Sequence, residues 1–460
     1  MQIKEDSPRI EKLKKKARRI STIEGSFSTV QSGFGDAYIT PFAIALNSSD
    51  SQIAMLTSFS GILGPLSQWF GSRIMEKQSR KKIILLAVLL QSLMWIPIII
   101  LSLLYWRGVL TSEIPLLLIV FFSVYVFLGN LGGPAWFSWM GDIVNAESRG
   151  KYFSWRNRIT GIVAIVCTVI AAFFLDFLKK HSLVLVGFAV FFFLAMLSRL
   201  IARELFKKKY EPKMTLKKGY YFSFWQFLKK APFNNFGKFS IFRFLESFSV
   251  SIAGPFFAVY MLRNLGFSYV TFMIVILSQT VFSLIVMPLW GRFSDEFGNY
   301  EVMKITSILI PAIPLLWLLS PSPYYLIFGP MLVAGVSWAG FNLAAGNFIY
   351  DCVTPQKRGI VVSYYNILNG IGVFLGATLG GIIVASTSIN FMNIILFVFL
   401  ISGIARMIVS LVMLPRIKEV RNVEKFDGKR AFKNLILKTI GNQNHEPRHE
   451  LMAEKTTTKN

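Results

Sequence analysis

The sequence predicts an all-α integral membrane protein with twelve transmembrane helices, and three observations carry that reading. Hydrophobic residues make up 53% of the 460 positions and charged residues only 16%, whereas a soluble chain sits nearer about 45–50% apolar and about a quarter charged. One bilayer crossing takes roughly 20 apolar residues, so this apolar content furnishes about twelve. The basic residues, finally, gather at the ends of apolar runs rather than along them.

Scanning with a window of about 19 residues places apolar segments near 24 to 46, 52 to 72, 83 to 105, 115 to 140, 158 to 178 and 183 to 205. A second set lies near 239 to 262, 268 to 290, 302 to 320, 324 to 350, 361 to 385 and 390 to 414. Between the sets runs a polar stretch, 206 to 238, with lysines at 207–209 and 217–218. The expected plan is therefore a basic N-terminus over 1–23, a six-helix bundle over 24–205, a linker over 206–238, a second bundle over 239–415 and a basic tail over 416–460, expected to be disordered. The first 22 residues are too polar for a cleavable signal.

Orientation follows from the positive residues, which are retained in the cytoplasm. The N-terminus, the tail and the alternate connections between them carry 42 of the 49 Lys and Arg. The opposite connections carry four: Arg107, Lys179, Lys180 and Arg263. Arg199, Arg243 and Arg406 fall inside apolar segments. Both termini are expected in the cytoplasm of a cell with the protein in its cytoplasmic membrane, and the net charge of +25 needs no nucleic-acid partner.

Other chemistries find little support. Cys167 and Cys352 form no CxxC pair, and His181, His445 and His449 lie in polar connections or the tail. No GK[ST] phosphate loop and no soluble catalytic motif is present. No cofactor, no metal and no enzymatic activity is expected. Within the linker, 219–231 (GYYFSFWQFLKKA) reads either as a short helix in the membrane interface or as an ordinary linker with snorkelling side chains.

A long internal repeat is visible by superposition. Shifting the chain by 209 sets 142–161 on 351–370, and seven of twenty positions match, among them Asp142 with Asp351, Arg149 with Arg358, Gly150 with Gly359 and Asn157 with Asn366. A shift of 219 sets Ser72, Glu76 and Arg80 on Gly291, Asp295 and Asn299. A longer outer connection near 105–114 accounts for the difference of ten.

Over roughly residues 20 to 415 the chain resembles the major facilitator superfamily of secondary transporters. That family's loop signature runs small residue, three positions, acid, base, one position, Gly and two bases. The second copy keeps Gly291, Asp295 and Gly298 and loses the trailing bases; the first keeps Glu76, Lys77, Arg80 and Lys81, with Ser72 and Ser79 in place of the glycines. The resemblance implies two six-helix bundles related by a pseudo-two-fold axis. It also implies gating roles for Ser72, Glu76, Lys77, Arg80, Asp142, Arg149, Gly291, Asp295, Gly298, Asp351 and Arg358. Asp295 would sit at the start of the eleventh helix and Glu76 at that of the fifth, where a helix dipole favours an anion. Lys77 or Arg80 would pair with Asp142, and Arg292 with Asp351, each pair contributing about 0.2 to 1 kcal/mol. The alternative is that these charges only anchor helix ends.

Ionisable residues inside the membrane are costly and usually functional. Asp36 lies 12 residues beyond Glu24, about 18 Å along a helix at about 1.5 Å per residue. Thr29, Ser32, Asp36 and Thr40 form one polar stripe, expected to face a hydrated cavity. Asp36 reads as a substrate or proton site or as an interior structural hydrogen bond, with Glu246 and Glu24 as secondary proton candidates. Arg243 and Glu246 share one face and can neutralise each other; function and anchoring both remain open for them. Arg199 and Arg406 are expected to snorkel or to form structural pairs.

Asn130, Gly132, Gly133, Pro134 and Trp136 interrupt the fourth apolar segment, Asn342, Gly346 and Asn347 the tenth, and Asn366, Asn369 and Gly370 open the eleventh. Each is a candidate cavity residue or helix-packing glue. The expected function is movement of a small solute by alternating access, driven by a proton or solute gradient, in a monomer whose partners are the bilayer, a small-molecule substrate and protons. The rivals are a non-transporting membrane scaffold or sensor, a lipid flippase and an enzyme of lipid-linked substrates. The exchangers' Gly-Pro motif is missing from 158–178, which weighs against multidrug efflux.

Overall fold

Apolar periodicity yields helices throughout. In this computed structural model the described residues are 8–75, 77–144, 149–212, 223–353 and 355–423, with side chains at 149–151, 154 and 355–359 outside them. Among them the helices form twelve rods in two bundles of six. The first bundle runs α1 (Pro8–Phe34) with α2 (Ile39–Ala45), α3 (Asp50–Ile74), α4 (Arg80–Leu93) with α5 (Trp95–Trp106), α6 (Ile114–Leu131) with α7 (Gly133–Ile143), α8 (Arg149–Lys180) and α9 (Val184–Lys208). A short α10 (Phe224–Lys230) precedes the second bundle. That bundle runs α11 (Asn235–Ala253) with α12 (Phe256–Val259), α13 (Tyr269–Phe297), α14 (Asn299–Leu309) with α15 (Ala312–Leu316), α16 (Pro323–Leu326) with α17 (Leu332–Cys352), α18 (Pro355–Ser386) and α19 (Ile394–Met413).

Nine stretches of the described residues are long and apolar enough to cross a membrane. The other three rods are the first, second and ninth. Several boundaries differ from the sequence reading. The first helix begins at Pro8, not near 24, and the tenth rod is broken by a π turn at Ile327–Met331, while α17 runs unbroken past Asn342, Gly346 and Asn347. Pro330, which has no N–H for the helix ladder, sits in that turn. Asn366, Asn369 and Gly370 lie in the middle of α18 rather than at its start. The fourth rod does break at Gly132, between α6 and α7. Of the 219–231 segment, 223–231 is described and contains α10; the tail beyond 423 lies outside the described residues.

The bundles meet along two seams, α3 against α18 and α8 against α13. Call the near end the one holding the starts of α4 and α14, and the far end the opposite one. At the far end a single apolar cluster draws on both bundles, including Tyr38, Phe188, Phe256, Tyr269, Trp317 and Phe399. At the near end the core divides. Ile84, Trp139 and Phe206 belong to a cluster of the first bundle, and Phe239, Met303 and Phe348 to one of the second, on which Trp69 of α3 leans across the seam.

Candidate functional site

The first rod places Asp36 where its helix stops. A side chain on Gly35 would press on the Trp95 ring and the Gln31 carbonyl, at 2.5 to 2.7 Å. Trp95 in turn packs against Tyr125, with ring centroids 4.7 Å apart. At this close approach the helix ends, and a 3-10 turn over Asp36–Tyr38 follows. The Asp36 carboxylate accepts hydrogen bonds from the Tyr125 hydroxyl at 2.5 Å, from Ser32 Oγ at 2.9 Å and from Gln31 Nε2 at 3.2 Å. Gln31 also donates to the Tyr125 hydroxyl. Gln31, Tyr125 and Tyr38 are buried, yet Ser32, Asp36 and Ala37 are exposed, so one face of the carboxylate is held by the protein and the other is open. The predicted stripe is only partly assembled: Thr29 donates to the Gly25 carbonyl of its own helix, and Thr40 falls on α2 beyond the break.

Behind this carboxylate sits Arg199, turned inward rather than snorkelling. Its Nη1 donates to Ser28 Oγ at 2.7 Å and its Nε to Gln91 Oε1 at 3.0 Å. α1, α4 and α9 are tied together at one guanidinium. Arg406, 207 positions later in the repeat, does the same in the second bundle. It is 2% exposed and donates to Ser402 Oγ at 3.1 Å, to the Val250 carbonyl at 3.3 Å and to the Ile310 carbonyl at 3.4 Å. Ile310 stands 219 positions after Gln91. The buried charge of Arg406 faces Glu246.

Arg243 and Glu246 pair at 2.7 Å on α11, and Arg243 also donates to the Tyr365 hydroxyl of α18 at 3.0 Å and lies 4.6 Å over the Phe341 ring. Glu246 is 2% exposed, and its Oε1 has no hydrogen-bond partner among the described residues. The pair is therefore interior, not an anchor at the membrane surface. Glu24, 1% exposed, accepts from Ser21 Oγ at 3.1 Å and from the Trp136 indole at 3.4 Å, with Arg156 at 3.8 Å. Beside it Lys209 is buried, 4.6 Å over the Trp139 ring. Burial pushes the Lys209 ammonium down to about 8, partly offset by Glu24 and reinforced by Arg156.

A polar chain crosses the α3–α18 seam: Gln68 donates to Asn130 Oδ1 at 3.2 Å, and Asn366 donates to Gln68 Oε1 at 3.4 Å. Asn342 stands apart, exposed on α17.

At the near end Arg80, fully buried, pairs with Asp142 at 2.5 Å and also donates to Ser138 Oγ and the Pro212 carbonyl. Lys77 is exposed, so Arg80 is the partner. The expected Arg292–Asp351 pair is not formed. Arg292 is exposed, and Asp351 accepts instead from Asn299 Nδ2 at 2.7 Å, because Asn299 occupies the repeat position of Arg80 and Ser294 Oγ fixes its amide from the other side at 2.6 Å. Gly298 turns the chain between α13 and α14 at φ +89°, a conformation open mainly to glycine. Gly291 and Asp295 lie in the last turns of α13, with Asp295 exposed, and Ser72 donates to the carbonyl of Trp69 in its own helix. Glu76 and the side chains of Arg149 and Arg358 lie outside the described residues.

Glu211 and Glu419 escaped the sequence reading. Glu211 accepts from the Lys81 backbone N–H at 3.3 Å, and Glu419 from the Tyr300 N–H at 2.7 Å. Lys81 and Tyr300 are 219 apart, and the two acids 208 apart. In each bundle, then, an acid following the sixth rod satisfies a first-turn amide of the third, where a helix favours negative charge. A shift of 208, one less than that of the 142–161 block, sets one acid on the other. Gln31, Gln91 and Tyr125 carried no comparable signal, since neutral polar residues in apolar runs are common.

Comparison with known proteins agrees with this architecture. The chain is 30% identical over 148 residues to rat solute carrier family 22 member 18, a match covering 31% of this chain and 35% of that protein. To human solute carrier family 67 member A1 it is 28% identical over 135 residues, covering 28% and 31%. The matched region thus spans about a third of these relatives' length. Among solved structures, the nucleoside transporter NupG superposes with a TM-score of 0.61 at 16% identity, covering 88% of this chain and 100% of that one. An inward-facing bacterial homologue of the iron transporter ferroportin gives 0.63 at 13%, covering 88% and 98%. The description of the Major Facilitator Superfamily matches residues 25–237 and 239–445, and the chain, with its many apolar rods, belongs to that family.

Proposed function

We propose that the protein moves a small solute across the cytoplasmic membrane by alternating access, with both termini in the cytoplasm and a proton gradient as the driving force. The observation that carries the reading is the division of the core: one cluster joins the bundles at the far end, whereas each bundle has its own at the near end. Packed cores are bistable rather than continuously deformable, so such an arrangement suits rocking about a central site. The near end, rich in Lys and Arg, is then the cytoplasmic one and the state is open toward the cytoplasm.

Asp36 is the proposed proton site. It is a carboxylate with three donors on one side and an open face on the other, inside a membrane rod. Gln68, Asn130, Asn366 and the Arg243–Glu246 pair are proposed to line the solute path, and the Arg80–Asp142 and Asn299–Asp351 pairs to hold near-end geometry in each bundle.

The test is reconstitution into vesicles carrying an internal pH dye, with candidate solutes first chosen by thermal shift, since a ligand stabilises by RT ln(1 + [L]/Kd). Solute addition is expected to drive proton movement in the wild type and none in Asp36→Asn. A wild type that accumulates no solute and is stabilised by none would favour the scaffold reading.

A further inference from the structure

The far end is held by two contacts in which each bundle reaches into the other, and both converge on the start of a second rod. A shift of 219 sets Ser49 on Ser268 and Asp50 on Tyr269. Both serines cap their helices: Ser49 Oγ accepts from the Gln52 amide at 3.2 Å, and Ser268 Oγ from the Thr271 amide at 3.1 Å. Thereafter the halves differ. The first turn of α3 has its own acid, Asp50, and that of α13 has none.

First-turn amides have no partner within their own helix and attract an anion. For α13 the anion comes from the other bundle: the Asp176 carboxylate, on α8, accepts from the Tyr269 amide at 2.8 Å and from the Val270 amide at 2.9 Å. Both of its oxygens are used. At α3 the direction reverses, and Arg263 of the second bundle pairs with Asp50 and donates to the Ser48 carbonyl at 2.6 Å. The two contacts are charge-assisted and directional, and separation of the bundles at this end would break both.

We infer that Asp176 and Arg263 are positioning residues that latch the far end shut, and that both latches must release for that end to open. The inference rests on the alternating-access reading. Both contacts are partly open to water, with Asp176 half-buried and Arg263 34% and Asp50 21% exposed, so each is strong enough to bias two states and weak enough to let go. An ordinary fold staple would use the same contacts without affecting the balance of states, and distances separate the two cases.

The full chain would be labelled in nanodiscs on a Cys167→Ser, Cys352→Ser background. Spin labels at Val109→Cys and Leu319→Cys, both exposed, report the far end by electron–electron resonance, and labels at Lys82→Cys and Arg416→Cys report the near end. Asp176→Asn and Arg263→Gln are each expected to raise the ratio of far-open to far-closed molecules roughly fivefold, the size of a modest coupling between sites. The double variant should multiply the two effects, and Arg263→Lys should restore most of the closed population. A far-end distribution unchanged in the double variant overturns the latch, as does a lowered melting temperature without any change in distance. The carrier reading fails separately: a far end that opens while the near-end distance stays fixed supports the latch and refutes alternation.

Discussion

Asn299 donates to Asp351 at 2.7 Å in the place where, one repeat earlier, Arg80 meets Asp142 at 2.5 Å. The geometry is duplicated and the charge is not. The first bundle seats a fully buried guanidinium against Asp142, Ser138 and the Pro212 carbonyl, and the second makes do with an amide braced by Ser294. The first near-end junction is therefore the one with more to lose on truncation.

Arg80→Ala is expected to destabilise the protein by roughly 2 to 4 kcal/mol, below the full value for a broken buried pair because Asp142 is half-exposed. Asn299→Ala should cost less, about 1.5 to 3 kcal/mol, the value of a hydrogen bond to a charged group, since the buried amide carries no charge of its own. Denaturant or thermal unfolding of the two variants side by side measures the difference. Equal losses would show that the repeat has equalised the two junctions by other contacts.

At Asp36, Asp36→Asn keeps the shape and removes the charge. Gradient-driven uptake should fall about tenfold or more, the equivalent of ~1.4 kcal/mol, and its dependence on pH should flatten. Tyr125→Phe removes one donor worth about 1 kcal/mol and should give a smaller loss with the pH dependence retained. Initial uptake rates in proteoliposomes across a pH series report both.

Gly35→Ala tests whether the break in the first rod depends on the Trp95 ring. The added methyl meets that ring and the Gln31 carbonyl, and overpacking of this kind costs about 1 to 3 kcal/mol. Trp95→Leu in the same chain should recover part of the loss. A stable Gly35→Ala protein with unaltered uptake would separate the break from Trp95 packing.

Lys209 makes a prediction in pH. Its ammonium is held down to about 8 against an ordinary 10.5, chiefly by burial. Between those values the unfolded chain binds the proton and the folded one does not, so stability rises with pH across that window; below about 8 both states are protonated and the dependence vanishes. Lys209→Met should remove the rise. Melting temperatures from pH 7 to 10.5 compare the two.

The inward Arg406 gives a coupling test. Arg406→Met leaves Glu246 buried beside a single cation, Arg243, and removes the hydrogen bonds to Ser402 and two carbonyls. Loss of one partner of a buried charge pair costs about 3 to 5 kcal/mol, and Glu246→Gln should recover part of it in the double variant. Additive losses in that cycle would show that the two charges do not interact.

Much of this molecule could be read along the chain. Bilayer thickness imposes a length on every apolar run, and a duplicated chain carries its motifs at constant shifts, so the twelve rods and the doubled loop blocks were legible. The shift of 219 also predicts which residues share a place, Arg80 with Asn299 and Lys81 with Tyr300, whereas Arg199 and Arg406 lie 207 apart. What remained hidden depends on residues far apart in sequence. Trp95 lies against Gly35 where the helix stops, and the pattern of 24 to 46 contains no trace of Trp95. The inward turn of Arg199 needs Ser28 and Gln91, and that of Arg406 needs Val250 and Ile310. Hydropathy could place these arginines in depth but not in direction, so snorkelling and structural pairing both stayed open.

By itself, then, the sequence determined the solvent, the number of crossings and the pseudo-symmetry, because partitioning into lipid and internal duplication are properties of local runs and of their spacing. Tertiary structure alone decided which charges are satisfied and by what. Asp36 meets Tyr125 and Asp176 meets the start of α13 only once separate rods pack side by side, and in a low-dielectric interior those pairings set the cost of every polar group.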